Sequence, residues 1–139
     1  MEVSRMFSFD AAHYLPGYKG KCSQLHGHTW NMCITFKGMI DERTGMVVDF
    51  KIIDEFVGNV IISKLDHKLL NTVLKNPTAE NLILWVWTVL GKYTVLIGVK
   101  LSKIELWETQ DSCVTLTRKE FKRYVKHLKE TLKKENVEV

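Results

Sequence analysis

Val3-Ser4-Arg5-Met6-Phe7-Ser8-Phe9-Asp10-Ala11-Ala12-His13 and, one loop later, His26-Gly27-His28-Thr29-Trp30-Asn31-Met32-Cys33-Ile34-Thr35-Phe36 decide the fold. In the first stretch Val3, Phe7, Phe9 and Ala11 hold odd positions while Glu2, Ser4, Ser8 and Asp10 interleave, with Arg5 and Met6 as exceptions. That is the period of a half-buried strand. His13 closes its apolar face. In the second stretch Trp30, Met32, Ile34 and Phe36 form an even-numbered apolar face, and His26 and His28, two apart, point the same way. Antiparallel pairing across the connection Tyr14 to Leu25 sets the end of the first strand beside the start of the second. All three imidazoles then meet at one end of one sheet face, with Cys22 on the loop above them.

Three neutral imidazoles are the ligand set of a zinc site that keeps one position open for substrate. The segment Cys22-Ser23-Gln24-Leu25-His26-Gly27-His28 adds a thiol, a candidate base or nucleophile beside such a site. A closed structural site with Cys22 as fourth ligand is the competing reading, but structural zinc sites are richer in cysteine. The open, catalytic arrangement is favoured.

At 139 residues the expectation is a single domain, residues 1–139. Hydrophobic residues at 45% and charged residues at 26% are ordinary for a soluble globular protein. The start Met1-Glu2-Val3-Ser4-Arg5 has neither a basic opening nor an apolar core, so no signal peptide is expected. The longest apolar stretch, Leu82 to Leu90, is too short to span a bilayer. Cys22, Cys33 and Cys113 have no framework spacing, which points to a reducing, cytoplasmic location. The formal charge of +4 is concentrated in Lys119, Lys122, Arg123, Lys126, Lys129, Lys133 and Lys134. No aromatic interleaving or recognition motif accompanies them, so they read as a solvated helix face, with neither nucleic acid nor membrane as partner. A mild positive field still favours an anionic small substrate.

Between the strand pairs, Asp41-Glu42-Arg43-Thr44-Gly45 is a polar turn, Met46-Val47-Val48 resumes an extended run, and Asp49 is an N-cap. Phe50 to Lys64 carries Phe50, Ile53, Phe56, Val57, Val60 and Ile61 at helical spacing, and Leu65-Asp66-His67 ends it. A second helix opens at Asn76-Pro77-Thr78, with proline in the first turn, and runs from Asn81 to Tyr93. It is apolar nearly all round, more than one chain was expected to bury, so a subunit contact is expected. Strands Val99 to Trp107 and Ser112 to Thr117 flank a turn at Thr109-Gln110-Asp111. A capping box, Thr117-Arg118-Lys119-Glu120, then opens an amphipathic helix on Phe121, Tyr124, Val125, Leu128 and Leu132. The order strand, strand, helix, helix, strand, strand with a terminal helix implies an α+β fold with helices on one face of an antiparallel sheet.

Six motifs in one order resemble the 6-pyruvoyltetrahydropterin synthase superfamily, its 6-carboxytetrahydropterin synthase branch in particular. They are Phe7-Ser8-Phe9-Asp10-Ala11-Ala12-His13, Cys22-x-x-x-His26-Gly27-His28, Gly45-Met46-Val47-Val48-Asp49-Phe50, Leu65-Asp66-His67, Pro77-Thr78-Ala79-Glu80-Asn81 and Trp107-Glu108-Thr109. The resemblance implies the T-fold: a four-stranded antiparallel sheet with two antiparallel helices on one face, here with a C-terminal helix added. It also implies a homohexamer of two stacked trimers, with active sites at subunit interfaces.

By the same resemblance His13, His26 and His28 hold Zn2+, Cys22, Asp66 and His67 handle protons, and Glu108 anchors the pterin, with Thr78 and Glu80 in supporting contact. The physical reasons are separate. A metal-bound hydroxyl is acidified, a thiol near a cation ionises near neutral pH, and a carboxylate orients an imidazole or grips two parallel N–H groups. Asp66-His67 alone would read as a surface pair ending a helix. Glu105 competes with Glu108, though on a regular strand the two face opposite ways. Lys19 and Lys21 read as a solvated loop, and Cys33 and Cys113 as structural thiols. The implied reaction converts 7,8-dihydroneopterin triphosphate to 6-carboxy-5,6,7,8-tetrahydropterin, releasing acetaldehyde and triphosphate, in the 7-deazaguanine (queuosine or archaeosine) pathway. Triphosphate elimination alone, giving the pyruvoyl product, is one alternative. A zinc-stabilised oligomer that binds a pterin or purine without turnover is the other.

Overall fold

The computed structural model describes residues 1–137. Strand β1 (Glu2–His13) pairs antiparallel with β2 (His26–Lys37), β2 with β4 (Lys100–Thr109), and β4 with β5 (Ser112–Thr117). The alternation sets the register. Phe9 lies opposite Trp30, Ala11 opposite His28 and His13 opposite His26. Phe9, Ala11, His13, Trp30, Met32, Ile34, Phe36, Leu101, Ile104 and Leu106 are all buried on one face.

A fifth strand departs from the four expected. β3 (Lys68–Leu69) pairs parallel with Ala11 and Ala12 at the edge, making a mixed sheet in the order β3-β1-β2-β4-β5. Two residues carry no readable alternation. β3 is held there by its approach, since His67 N–H donates to the Asp10 carbonyl (2.6 Å) and Asp10 N–H to Asp66 Oδ1 (3.0 Å).

The first helical region is α1 (Phe50–Val57), a π-helical stretch Gly58–Ile62, and α2 (Ser63–Leu65). Asp49 caps it, accepting from Lys51 N–H at 2.8 Å. Its buried residues Ile53, Val57, Ile61 and Leu65 are spaced by fours, which drifts about 40° per step around a regular α-helix. The wider π turn reduces that drift and keeps all four on the sheet.

Thr78 caps α3 (Ala79–Tyr93), accepting from Asn81 N–H at 3.1 Å. Pro77 therefore precedes the cap and is not in the first turn. Leu82, Ile83, Val86, Trp87 and Leu90 of α3 are buried within the chain, Trp87 beneath Phe121 of the last helix, α4 (Arg118–Val137), with ring centroids 5.3 Å apart, while Leu84, Trp85 and Val89 stay half-buried. Met46-Val47-Val48 is no strand either. A single bridge joins Asp41 to Met46 around Gly45, whose φ of 72° suits glycine.

A candidate metal centre

His13, His26 and His28 each offer a ring nitrogen, and these atoms lie within 4.8 Å of one another. Ring centroids are 4.6 Å (His13 to His26), 4.9 Å (His26 to His28) and 5.2 Å (His13 to His28) apart. Trp30 forms the floor, edge-on to His13 and His28 at 5.3 and 5.6 Å. The register predicted from alternation alone brings them together.

Backbone carbonyls fix the tautomers. His13 Nδ1 is 2.8 Å from the Pro77 carbonyl and His26 Nδ1 is 2.7 Å from that of Gln24. A carbonyl only accepts, so each Nδ1 carries the proton and each Nε2 keeps a free lone pair. His13 Nε2 and His28 Nε2 are buried with no hydrogen-bond partner among the described residues. Buried polar atoms left so are costly. Burial also holds His28 below the ordinary imidazole range, against the pull of Glu108 and with help from His13 and His26, so its ring is neutral and able to ligate. The three residues therefore fit a metal ion.

Glu108 lies beside this centre, its Oε1 3.3 Å from His28 Nε2. It falls where the β4–β5 register shifts between Trp107 and Thr109, in a bulge that carries β4 two residues past its expected end. Glu105 belongs to the other face, paired with Lys103 at 3.6 Å. Cys22 sits in a 3-10 turn, Lys21–Ser23, with its carbonyl accepting from Leu15 N–H at 2.8 Å. Its sulfur is not among the ligand atoms that lie within 4.8 Å of one another there.

Asp66 and His67 form a separate group. His67 Nδ1 is 3.0 Å from Asp66 Oδ1, and the Asp10 carboxylate, which accepts from Thr29 Oγ1 at 2.5 Å, completes a second cluster. Asp10 and Thr29 are a cross-strand pair of opposite parity to His13 and His28, so this cluster lies on the other face of the sheet. It borders an open cleft of about 610 Å³. His67 takes φ 56°, a left-handed conformation uncommon outside glycine, with its side chain 78% exposed. The Asp10 N–H, and after it His67, hold the Asp66 carboxyl below the usual carboxylate range. One chain therefore does not unite Asp66 and His67 with its own histidine centre.

Thr78 has its hydroxyl engaged as a helix cap, and Glu80 is an exposed first-turn acid. Sequence reasoning missed the Pro77 and Gln24 carbonyls and the place of Asp10 beside His67. The one available signal was an acid three residues before His13.

A helix-backed, mainly antiparallel sheet with three convergent imidazoles at one end and a carboxylate beside them defines a T-fold protein whose histidine cluster fits a metal ion. Comparison with known proteins agrees. Residues 2–119 match the family described as 6-pyruvoyl tetrahydropterin synthase. A dihydroneopterin monophosphate aldolase of Pyrococcus furiosus is 37% identical over 109 residues, spanning 78% of this chain and 90% of that protein. A 6-carboxy-5,6,7,8-tetrahydropterin synthase of Synechocystis sp. is 33% identical over 120 residues, spanning 77% and 85%. The structure of Caenorhabditis elegans 6-pyruvoyl tetrahydropterin synthase shares the fold with a TM-score of 0.71 at 24% identity, over 84% of this chain and 94% of that one.

The chain belongs to the 6-pyruvoyl tetrahydropterin synthase family, and its place there makes it a pterin-converting lyase.

Proposed function

We propose that this enzyme converts 7,8-dihydroneopterin triphosphate to 6-carboxy-5,6,7,8-tetrahydropterin, acetaldehyde and triphosphate, with zinc held by His13, His26 and His28, as a step of 7-deazaguanine synthesis in the cytoplasm. The observation that carries this reading is the group of three imidazoles, oriented by backbone carbonyls, with Glu108 at 3.3 Å. Zinc bound there supplies Lewis acidity toward the side-chain oxygens of the substrate. The carboxylate of Glu108 accepts from the amino and ring N–H groups of the pterin, which brings the side chain at C6 to the histidines. Cys22, on the loop leading into His26, takes a proton from the side-chain carbon as general base.

Loss of the C1′ proton sends its electron pair into the N5=C6 imine of the ring, which is reduced to the tetrahydro level as C1′ becomes a carbonyl. Loss of the C2′ proton with triphosphate from C3′ gives an enol that becomes the C2′ carbonyl bearing a methyl group. Water then adds to C1′ and the C1′–C2′ bond breaks. Its electron pair stays on C2′, which is protonated to give acetaldehyde, and C1′ becomes the carboxylate. Asp66 and His67 act as the proton donor at the centre of a neighbouring copy, because in their own chain they lie across the sheet from it. The short Cys22-x-x-x-His26 spacing favours this branch over the one that retains the pyruvoyl side chain.

The Pyrococcus furiosus relative supports a second reading, aldol cleavage of a dihydroneopterin monophosphate. The same C1′–C2′ bond would break, but before any phosphate leaves, giving a hydroxymethylpterin and glycolaldehyde phosphate. Mass analysis of products from the zinc-loaded protein decides among them. Acetaldehyde with a carboxypterin from the triphosphate supports the proposal. A retained pyruvoyl chain, or glycolaldehyde phosphate from the monophosphate, replaces it. No turnover of either substrate leaves a pterin-binding protein and refutes it.

A further inference from the structure

The start of α4 and the end of α3 enclose a cleft of about 370 Å³, with Trp87, Gly91, Lys92 and Thr94 on one side and Arg118, Phe121 and Lys122 on the other. A cleft of that size holds a small molecule. Phe121 and Lys122 lie beyond residue 119, where the family match ends, so the family likeness does not account for it. Lys92, Arg118 and Lys122 border the cleft and no acid does. None of the three is in an ion pair among the described residues. Arg118 and Lys122 stand four apart on α4, a like-charge spacing that destabilises a helix, and Lys126 repeats it. Arg118 Nε donates to the Leu101 carbonyl at 3.0 Å, which fixes the guanidinium and leaves its two terminal amino groups to a ligand.

Nothing on the other side of Arg118 neutralises it. There it borders a second cavity whose cations, Lys37 and Lys100, stand opposite each other on β2 and β4, and no acid lines that one either. Glu2, opposite Lys37 on β1, accepts from the Ser102 hydroxyl. Two polar groups of the first cleft are unpartnered as well. Thr94 is 7% exposed and Trp87 4%, yet neither the Thr94 hydroxyl nor the Trp87 indole N–H makes a hydrogen bond among the described residues. The edge of the indole that carries this N–H faces Gly91, where a Cβ would stand 4.0 Å from Trp87 Cδ1. Buried polar groups are ordinarily satisfied, and two left so on one cavity wall point to a partner that enters it.

We propose that this cleft binds a small phosphorylated molecule, its phosphate on Lys92, Arg118 and Lys122 and an apolar body against Trp87, Leu101 and Phe121. Charge chooses the anion. Three cations exceed what the single charge of a carboxylate balances, and they suit a phosphate monoester, which carries about −1.5 to −2 at neutral pH. The guanidinium adds a planar fork that matches phosphate oxygens. Leu101 and Glu108 lie toward opposite ends of β4, seven residues or roughly 20 Å apart, so the occupant does not touch the histidine centre. The site stands whichever reaction that centre performs.

Titration calorimetry of the whole protein with 1-naphthyl phosphate, a phosphate on a flat apolar ring, tests this. Binding at one site per chain is expected, at least tenfold tighter than that of inorganic phosphate or 1-naphthol and weakened by added salt. Arg118→Gln and Lys92→Gln/Lys122→Gln are each expected to weaken it at least tenfold. Gly91→Leu fills the cleft from a helix position where leucine is preferred to glycine, and it is expected to abolish binding while circular dichroism stays native. Glu108→Gln, beside the histidines, is expected to leave binding intact. The proposal is overturned if naphthyl phosphate does not bind, if inorganic phosphate binds as tightly, or if Gly91→Leu and the charge variants bind like the wild type. It is also overturned if Glu108→Gln loses the binding and Arg118→Gln keeps it, which would put the ligand at the histidine centre.

Discussion

His13 and His26 are aimed by peptide carbonyls, those of Pro77 and Gln24, and by no side-chain hydrogen bond among the described residues. A ligand oriented this way is insensitive to mutation of its neighbours but depends on the backbone path. We therefore expect His26→Ala to lose stoichiometric zinc, read by metal analysis, while far-UV circular dichroism stays native, since His26 ends a strand and lies outside the main apolar core. Cys22→Ala should keep its zinc and lose turnover by about 10²-fold or more, the scale of a missing general base. Loss of metal in that variant would make the sulfur a ligand. These residues were legible in the sequence because side chains of particular types recur at particular spacings, and a strand of period two turns spacing into direction. Asp10 was legible only as a polar position in an alternating strand. The two carbonyls were not legible at all, because every residue has one.

Capping makes the clearest link from sequence to element. Thr117 Oγ1 accepts from Glu120 N–H at 3.3 Å, and Glu120 Oε2 accepts from Thr117 N–H at 2.9 Å, the reciprocal box that the sequence announces. Those bonds hold the Glu120 carboxyl below its usual range, the Thr117 N–H foremost. Thr117→Ala should cost about 1 kcal/mol, a fall of roughly 3 °C in the thermal midpoint. β3 makes the opposite case. Its two residues owe their place to Asp66 and Asp10, a contact between segments 56 residues apart, and no local pattern could show it. The Asp66 carboxyl titrates lower in the folded chain than in the unfolded one, where its pKa is about 3.9. The stability it contributes is therefore complete above that pH and is lost as pH falls through the folded value. Melting curves from pH 6 to pH 2 should show a steeper acid decline for the wild type than for Asp66→Asn. Equal slopes would remove Asp66 as an anchor of that edge. Part of the apolar girth of α3 is covered for a related reason, because Phe121, which stacks on Trp87, lies far along the chain and only packing shows the two to be neighbours.

For the whole molecule, the sheet separates two chemistries. Three imidazoles and Glu108 occupy the helix-covered face at one end of the β1–β2 pair, and Asp10, Asp66 and His67 the opposite face of the same pair. A reaction that uses both needs more than one copy. Mixing a Cys22→Ala protein with a His67→Ala protein should then recover part of the activity that each lacks, if chains exchange on refolding. Recovery near zero would return the dyad to a structural role. The account as a whole rests on how zinc is held, which X-ray absorption at the zinc edge of the loaded protein reads directly. Three imidazole nitrogens at about 2.0–2.1 Å with one further oxygen are predicted, and a sulfur at about 2.3 Å would contradict it.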